Sequence, residues 1–479
     1  MKIKNFKYKN IGIYIKNIIF VFFKNINQDV SERNVKKINK IMRSVNKSNI
    51  ASKLKKINDL FKKFESDPFI TKKVALYEID KGKNPEDGFK KIKKYNLLKN
   101  KWIKRNNLES IKTEFIPESL VMGALGNHWP LFYYLMYKIN IQGSIEKPNL
   151  LLRKNQKITN SALYNYFTPH INVIQNDSLY YKLEYISKIF NTPLEATVPF
   201  KDNYYPFFAS INFINQLLKN VKNKKYDYFK INNTDYEKGK NILKKMNIPE
   251  DAWYVTLHVR QGVGNELFNS NPLTYVKAIK EIIQRGGYVF RMGDKSMTPL
   301  PKIDGLIDYP FTEHKSEFFD IFLASTCRFC IGTSSGYWSV PIFFGKPVLL
   351  TNYLPFFDYY PLDEKSLFLP KSFIDKDTKK MITTEKMFKS LLGHLTTNIQ
   401  LDQNNINIID NNEDEIFQAT VEMLDSLDSK KNNEKFTTIN EKFKKHLDAL
   451  NITKYEFPLK AMANFSTSFL KKSNQQSNI

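Results

Sequence analysis

Two residues closing an apolar run, His258 and Arg260, and a hydroxyl-rich turn, Gly332-Thr333-Ser334-Ser335-Gly336, are the side chains best suited to chemistry on an anion. A turn between a strand and a helix aims its backbone N–H groups, and the positive end of that helix, at one point. Its hydroxyls add further donors. A guanidinium arriving from another strand end can grip two oxygens at once. Together they would hold a diphosphate and stabilise it as it leaves. His258 shares a strand face with Arg260. It would orient a hydroxyl, act as a base, or hydrogen-bond the loop after Arg260. Glu266, just beyond Gly262-Val263-Gly264, is the nearest carboxylate for a general base. Arg291 and Asp294 end the next strand, where they would meet a base or ribose, or pair with each other at the surface. Gly123, Asn127 and His128 precede an apolar helix and would contact a second substrate or form a plain turn. Glu313-His314-Lys315 offers a solvated cap or a lysine near phosphate.

The elements that must position these groups follow one rhythm. Trp253 to Val259 is a β-branched, apolar run of the kind that forms a buried parallel strand. Asn271-Pro272 opens a helix and Gly286-Gly287 stops it. Tyr288 to Arg291, Leu306-Ile307, Phe329 to Ile331 and Val348 to Thr351 read as further strands, with helices from Ser316 to Cys327 and from Trp338 to Phe344. Strand–helix alternation with short turns predicts a doubly wound parallel α/β sheet, whose ligand crevice lies beyond the carboxyl ends of the strands.

A looser alternation starts upstream. Leu120 to Met122, Asn149 to Leu152 and Ile171 to Ile174 are expected strands, and Tyr236 to Met246 an expected helix. The organisation predicted is a basic helical extension (1–115), a Rossmann-like domain (116–250), a second Rossmann-like domain (251–427) and a Lys/Asn/Ser-rich, loosely ordered tail (428–479). At 479 residues the chain is long enough for two cores, and 42% hydrophobic content excludes a disordered protein.

The net charge of +26 has two sources to weigh, a Lys/Asn/Ile-rich composition throughout and an anionic partner such as a nucleotide, acidic lipid or acidic glycan. Zinc-finger, basic-zipper and RNP-type aromatic motifs are missing, so nucleic acid is not expected as a partner. The only cysteines, Cys327 and Cys330, fall where a helix gives way to a buried strand and read as core residues of a reduced compartment. The most apolar N-terminal stretch, Ile11 to Phe23, contains Lys16 and Asn17 and is too short to span a bilayer. It would lie on an anionic membrane surface or pack on the protein.

Several chemistries lack their motif. Neither Gly262-Val263-Gly264 nor Gly123-Ala124-Leu125-Gly126 fits G-x-G-x-x-G, and no phosphate loop, nucleophile elbow or metal-type histidine pair occurs. An Asp-x-Asp motif is also missing, which points to phosphate handling without a metal or cofactor.

At these residues the chain resembles a group of bacterial glycosyltransferases often encoded with surface-polysaccharide genes. The resemblance runs through His258-Val259-Arg260, Arg291-Met292-Gly293-Asp294, Ser296-Met297, Pro299-Leu300-Pro301, Ile307-Asp308-Tyr309 and Lys315-Ser316-Glu317. It continues through Asp320 to Leu323, Cys327-Arg328-Phe329, Ile331 to Gly336, Val340-Pro341 and Thr351-Asn352. It is good over residues 250–375, loose over 118–250 and nearly absent before them. More widely the chain is similar to two-Rossmann GT-B nucleotide-sugar transferases. In their fucosyltransferase branch a His-x-Arg strand end and a Ser-rich turn grip the donor diphosphate, which implies that role here for Arg260 and Ser334-Ser335. Gln261-Gly262 replaces that branch's Arg-Gly-Asp continuation.

The resemblance implies a GT-B fold with a cleft between two Rossmann-like domains. The second would bind a nucleotide sugar through Arg260, Arg291, Asp294 and Gly332 to Gly336, and the first a glycan or lipid-linked glycan through Gly123, Asn127 and His128. A cytoplasmic enzyme of surface-polysaccharide synthesis, peripheral on the membrane's inner face, is the expectation. A sugar-nucleotide epimerase of the same fold and a non-catalytic glycan- or membrane-binding scaffold are the alternatives.

Overall fold

The computed structural model describes scattered positions between 55 and 75, then residues 85–105, 115–116, 120–177, 197–200, 203–206, 217–218, 221–263, 266–354, 364–389, 392, 395, 398–428, 434–449 and 464–474. The apolar segment Ile11 to Phe23 lies outside them, as does most of the expected helical extension before residue 85.

Two compact units emerge. The first comprises residues 1–117, 148–154 and 174–207. It contains the helix Pro85–Arg105, a parallel pairing of Phe115–Ile116 with Asn149–Leu152, and a hairpin of Thr197–Phe200 with Asn203–Pro206.

The second comprises residues 118–147, 155–173 and 208–479 and is built on a seven-stranded parallel sheet. Its strands are β1 (Tyr254–His258), β2 (Tyr288–Arg291), β3 (Leu306–Asp308), β4 (Cys330–Gly332), β5 (Val348–Tyr353), β6 (Leu367–Pro370) and β7 (Asn464–Phe465). The spatial order is β7-β6-β5-β4-β1-β2-β3, and every pairing is parallel. The chain therefore winds outward from β1 to β3, returns to β4, and winds outward the other way. The reversal falls between β1 and β4, in register at His258 and Gly332. That is the position where open α/β sheets leave a crevice.

The apolar runs explain the strands: Val255, Leu257, Val289, Phe290 and Ile331 are all essentially inaccessible. Helix α1 is Trp129–Asn140, α2 Ser161–Phe167, α3 Val276–Gln284, α4 Glu317–Thr326, α5 Ser339–Phe343, α6 Glu413–Asp428 and α7 Thr467–Asn474. Ser316 caps α4 by accepting from the Phe319 N–H, as its place before an apolar run predicts. Helix α6 packs with α3 and lies against β5 and β6, while α4 packs with α2 and α5.

Three expectations need correction. The span 116–250 is divided between the units: residues 118–147 and 155–173 belong with the large sheet. An aromatic core makes the join, with Phe132 of α1 4.9 Å from Phe343 of α5 and Phe167 of α2 5.0 Å from Phe229. Each such ring, fully buried, contributes about 1.5–3 kcal/mol. Leu120 to Met122 is a turn, because Gly123 at φ +88° redirects the chain. The stretch after 428 is not a loose tail throughout: β7 pairs with β6, and Phe465, Phe469 and Leu470 are buried. Cys327 and Cys330 are buried free thiols, as core cysteines should be, and burial pushes Cys327 up to about 11.

Candidate functional site

The switch point joins β1 and β4 by side chain as well as by ladder. Beyond His258 the Arg260 N–H donates to Thr333 Oγ1 at 3.0 Å, tying the loop after β1 to the turn after β4. Ser335 Oγ lies 3.0 Å from His258 Nδ1, and the Tyr337 ring stacks on the imidazole at 5.5 Å and 20°. The backbone of Arg260 and the Gly332–Gly336 turn are thus brought together.

Arg260 itself is half-buried. Its guanidinium lies over Gly262, where a Cβ would come within 3.3 Å of Nη2. Its Nε is buried with no acceptor, and no carboxylate pairs with the group among the described residues. An enclosed, uncompensated guanidinium costs free energy unless an anion completes it. The loop that carries it is fastened. Asn269 accepts from the Gly262 N–H at 2.9 Å and donates to its carbonyl at 2.8 Å, and buried Lys371 donates to the Asn269 carbonyl at 2.8 Å and pairs with Asp410 at 2.7 Å.

The turn differs from expectation. Ser334 is buried, donating to the Asn352 carbonyl at 3.3 Å and accepting from the Leu354 N–H at 2.7 Å. Its hydroxyl is therefore spent on the chain around β5, and Thr333 is spent on Arg260. Only Ser335 keeps a hydroxyl beside the strand ends. Helix α5 starts at Ser339 and has five residues, too few to supply much of a dipole. The N–H groups of Gly336 and Tyr337 have no acceptor among the described residues, so they join Arg260 and Ser335 among the donors of this turn left for an anion.

Arg291 is not where the sequence reading put it. It is wholly inaccessible, donating to Asp308 at 3.0 Å, the Thr298 carbonyl at 3.0 Å and Gln261 Oε1 at 3.3 Å. It cannot reach a nucleotide; it ties the loop after β2 to the residue that follows Arg260. Asp294 is exposed, and the Ser296 hydroxyl and N–H hold its carboxyl below the usual range. Glu266 is exposed on a short 3₁₀ turn within the loop that Asn269 closes. Lys315 is paired with Asp320 at the start of α4.

His258 is lowered to about 4, by burial first and then by the positive charge of Arg291 and Arg260. It is a neutral imidazole at physiological pH. His128 is also lowered to about 4 by burial, but for a different end. It is inaccessible, bonded through Nδ1 to the Leu125 carbonyl at 3.1 Å and 5.5 Å from the Phe167 ring, which makes it a core residue rather than a substrate contact. Asn127 spends its amide on the Met122 carbonyl at 2.6 Å, and Gly123 is exposed at the turn. The residue of that loop that meets the switch point is Gly126, backbone to backbone with Gly336.

Gln261, Asn269, Tyr337 and Lys371 escaped the sequence reading. Only Gln261 and Tyr337, each beside a chosen motif, carried any signal.

No group of three or more His, Cys, Asp or Glu side chains gathers as a metal site among the described residues, and no helix there is long and apolar enough to cross a membrane. No family model and no curated protein matches the chain. Among solved structures, the glycosyl transferase family 9 protein from Veillonella parvula DSM 2008 is 12% identical at a TM-score of 0.39, covering 65% of this chain and 96% of its own. E. coli ADP-heptose lps heptosyltransferase II is 9% identical at 0.31, covering 49% of this chain and 82% of its own. E. coli heptosyltransferase WaaC with ADP is 8% identical at 0.27, covering 53% and 89%.

Proposed function

We propose that this chain is a glycosyltransferase that draws a sugar from a nucleoside-diphosphate donor and passes it to a hydroxyl of a glycan or lipid-linked glycan acceptor. One observation carries the reading: Arg260, half-buried and with no carboxylate partner among the described residues, stands at the switch point of the sheet. A diphosphate there would receive the guanidinium, the Ser335 hydroxyl and the Gly336 and Tyr337 amides. Charge that builds on the leaving diphosphate as the glycosidic bond breaks is then met by donors already in place. A two-domain GT-B arrangement, with the acceptor held by residues upstream of 250, belongs to the same proposal, as does a cytoplasmic place in surface-polysaccharide synthesis at the inner face of the membrane.

A thermal-shift screen of nucleoside diphosphates and sugar nucleotides, followed by calorimetry on the best binder, tests it. Arg260→Ala is expected to lower affinity at least tenfold, as loss of a charge-assisted contact worth about 1.5–3 kcal/mol requires, while its melting temperature stays near that of the unchanged protein. Equal affinity in the two proteins would overturn the reading.

A further inference from the structure

We propose that His258 is the proton acceptor of the transfer step, and that Ser335 is the positioning residue that decides which of its ring nitrogens is free. The inference rests on the sugar-nucleotide reading and adds to it the fate of the acceptor's proton.

The imidazole is fixed on two sides. Tyr337 stacks on its face at 5.5 Å, and Ser335 Oγ holds Nδ1 at 3.0 Å. In the tautomer assigned here Nδ1 carries the single ring proton and donates it to Ser335 Oγ, leaving a lone pair on Nε2. Nε2 has no hydrogen-bond partner among the described residues.

Placement supports the role. His258 ends β1 opposite Gly332, two residues before the guanidinium that would hold the leaving diphosphate. The charges facing it are Arg260 after its own strand, Arg291 on β2 and Asp294 in the loop beyond β2, with Lys315 acting on Asp294. Burial first, and then the positive charge of the two arginines, keeps the ring unprotonated before the reaction. As the donor's anomeric carbon–oxygen bond breaks, its electron pair moves onto the diphosphate, and that new negative charge raises the basicity of the imidazole beside it. The acceptor oxygen forms the new bond to the anomeric carbon, and its proton passes to Nε2. The product state is an imidazolium beside a bound diphosphate, which returns the proton to solvent after release.

The test uses the full-length chain with ADP-, GDP- and UDP-linked sugars, water serving as the acceptor, and calorimetry run in parallel. His258→Asn keeps a polar group at the position of Nδ1 but removes Nε2. It is expected to lower kcat by about 10²–10⁴-fold, the usual worth of a general base, with donor affinity within about threefold of the unchanged protein, less than about 1 kcal/mol of binding free energy. Ser335→Ala should lower kcat about tenfold, the equivalent of one hydrogen bond, and Ser335→Thr should restore it. A ¹⁵N–¹H correlation spectrum of the imidazoles, with His258 assigned by its loss in His258→Asn, should show the proton on Nδ1 in the unchanged protein and a mixture in Ser335→Ala. A proton resident on Nε2, or full kcat in His258→Asn, would overturn the proposal. A fall in donor affinity matching the fall in kcat would make His258 a ligand of the donor instead. If the unchanged protein binds none of the sugar nucleotides, the parent reading fails and takes this inference with it.

Discussion

Gly126 and Gly336 meet without side chains between them: a Cβ on Gly126 would stand 2.6 Å from the Gly336 Cα, and one on Gly336 would stand 2.3 Å from the Gly126 nitrogen. Neither distance is tolerated by real Cβ atoms, and the obstacle is backbone, which cannot swing aside. Gly336→Ala should therefore push the turn after β4 away from the Leu125–His128 segment. Overpacking of this kind costs about 1–3 kcal/mol, read as a lower urea midpoint. Because the displaced turn carries Ser335 and two free amides, nucleotide affinity should fall with it. Unchanged stability would mean that the two loops separate freely.

Gly262 offers a milder contact with a different readout. A Cβ there would lie 3.3 Å from Arg260 Nη2, the end of a flexible side chain. Gly262→Ala should leave the unfolding free energy within about 0.5 kcal/mol, as for surface changes, yet weaken nucleotide binding severalfold by moving the guanidinium. Wild-type affinity in calorimetry would show that Arg260 binds in another rotamer.

Arg291 and Asp308 form a pair whose value lies in its burial. Arg291 is 0% exposed, and the same Asp308 carboxylate that receives it also accepts the Leu300 N–H at 2.8 Å. Asp308→Ala leaves a buried cation without a counter-charge, a loss of about 3–5 kcal/mol. Arg291→Met added to Asp308→Ala should recover a large part of that loss, because it removes the stranded charge. A double variant as unstable as the sum of its singles would show that the two groups act independently.

Much of this was legible in sequence, for identifiable reasons. Val255, Leu257, Val289, Phe290, Ile331 and Val348 to Leu350 lie in apolar runs bounded by turn residues, so the central strands could be placed. Arg260 and Ser335 stood out because each follows such a run. Arg291 could not be told apart from them: it too ends a strand, and the carboxylate that buries it is 17 residues further on. Ser334 looked like Ser335, but its partners, Asn352 and Leu354, come from around β5. His128 looked polar and loop-borne, and only the fold supplies the Phe167 ring beside it. Strand β7 has two residues inside a polar tail and shows no periodicity to detect. Local chemistry was readable, whereas which polar groups consume one another was decided by pairings distant in sequence.

The C-terminal segment should loosen as pH rises. Glu422 of α6 accepts from the Thr467 N–H and hydroxyl at the start of α7, and burial lifts its carboxyl to about 7 despite those bonds and nearby Lys471. A carboxyl raised in the folded state binds a proton that the unfolded chain, at about 4.5, has already lost. Its stabilising contribution is therefore complete below pH 4.5 and falls away as pH rises to 7. At most ~3 kcal/mol is involved, at 1.36 kcal/mol per unit. Glu422→Gln keeps an acceptor for the Thr467 N–H and cannot ionise. Amide exchange over residues 464–474, compared at one pH at a time, should be slower in Glu422→Gln than in the unchanged protein at pH ~8 and nearly equal at pH ~5. The same difference at both pH values would mean that the carboxyl does not titrate in this range.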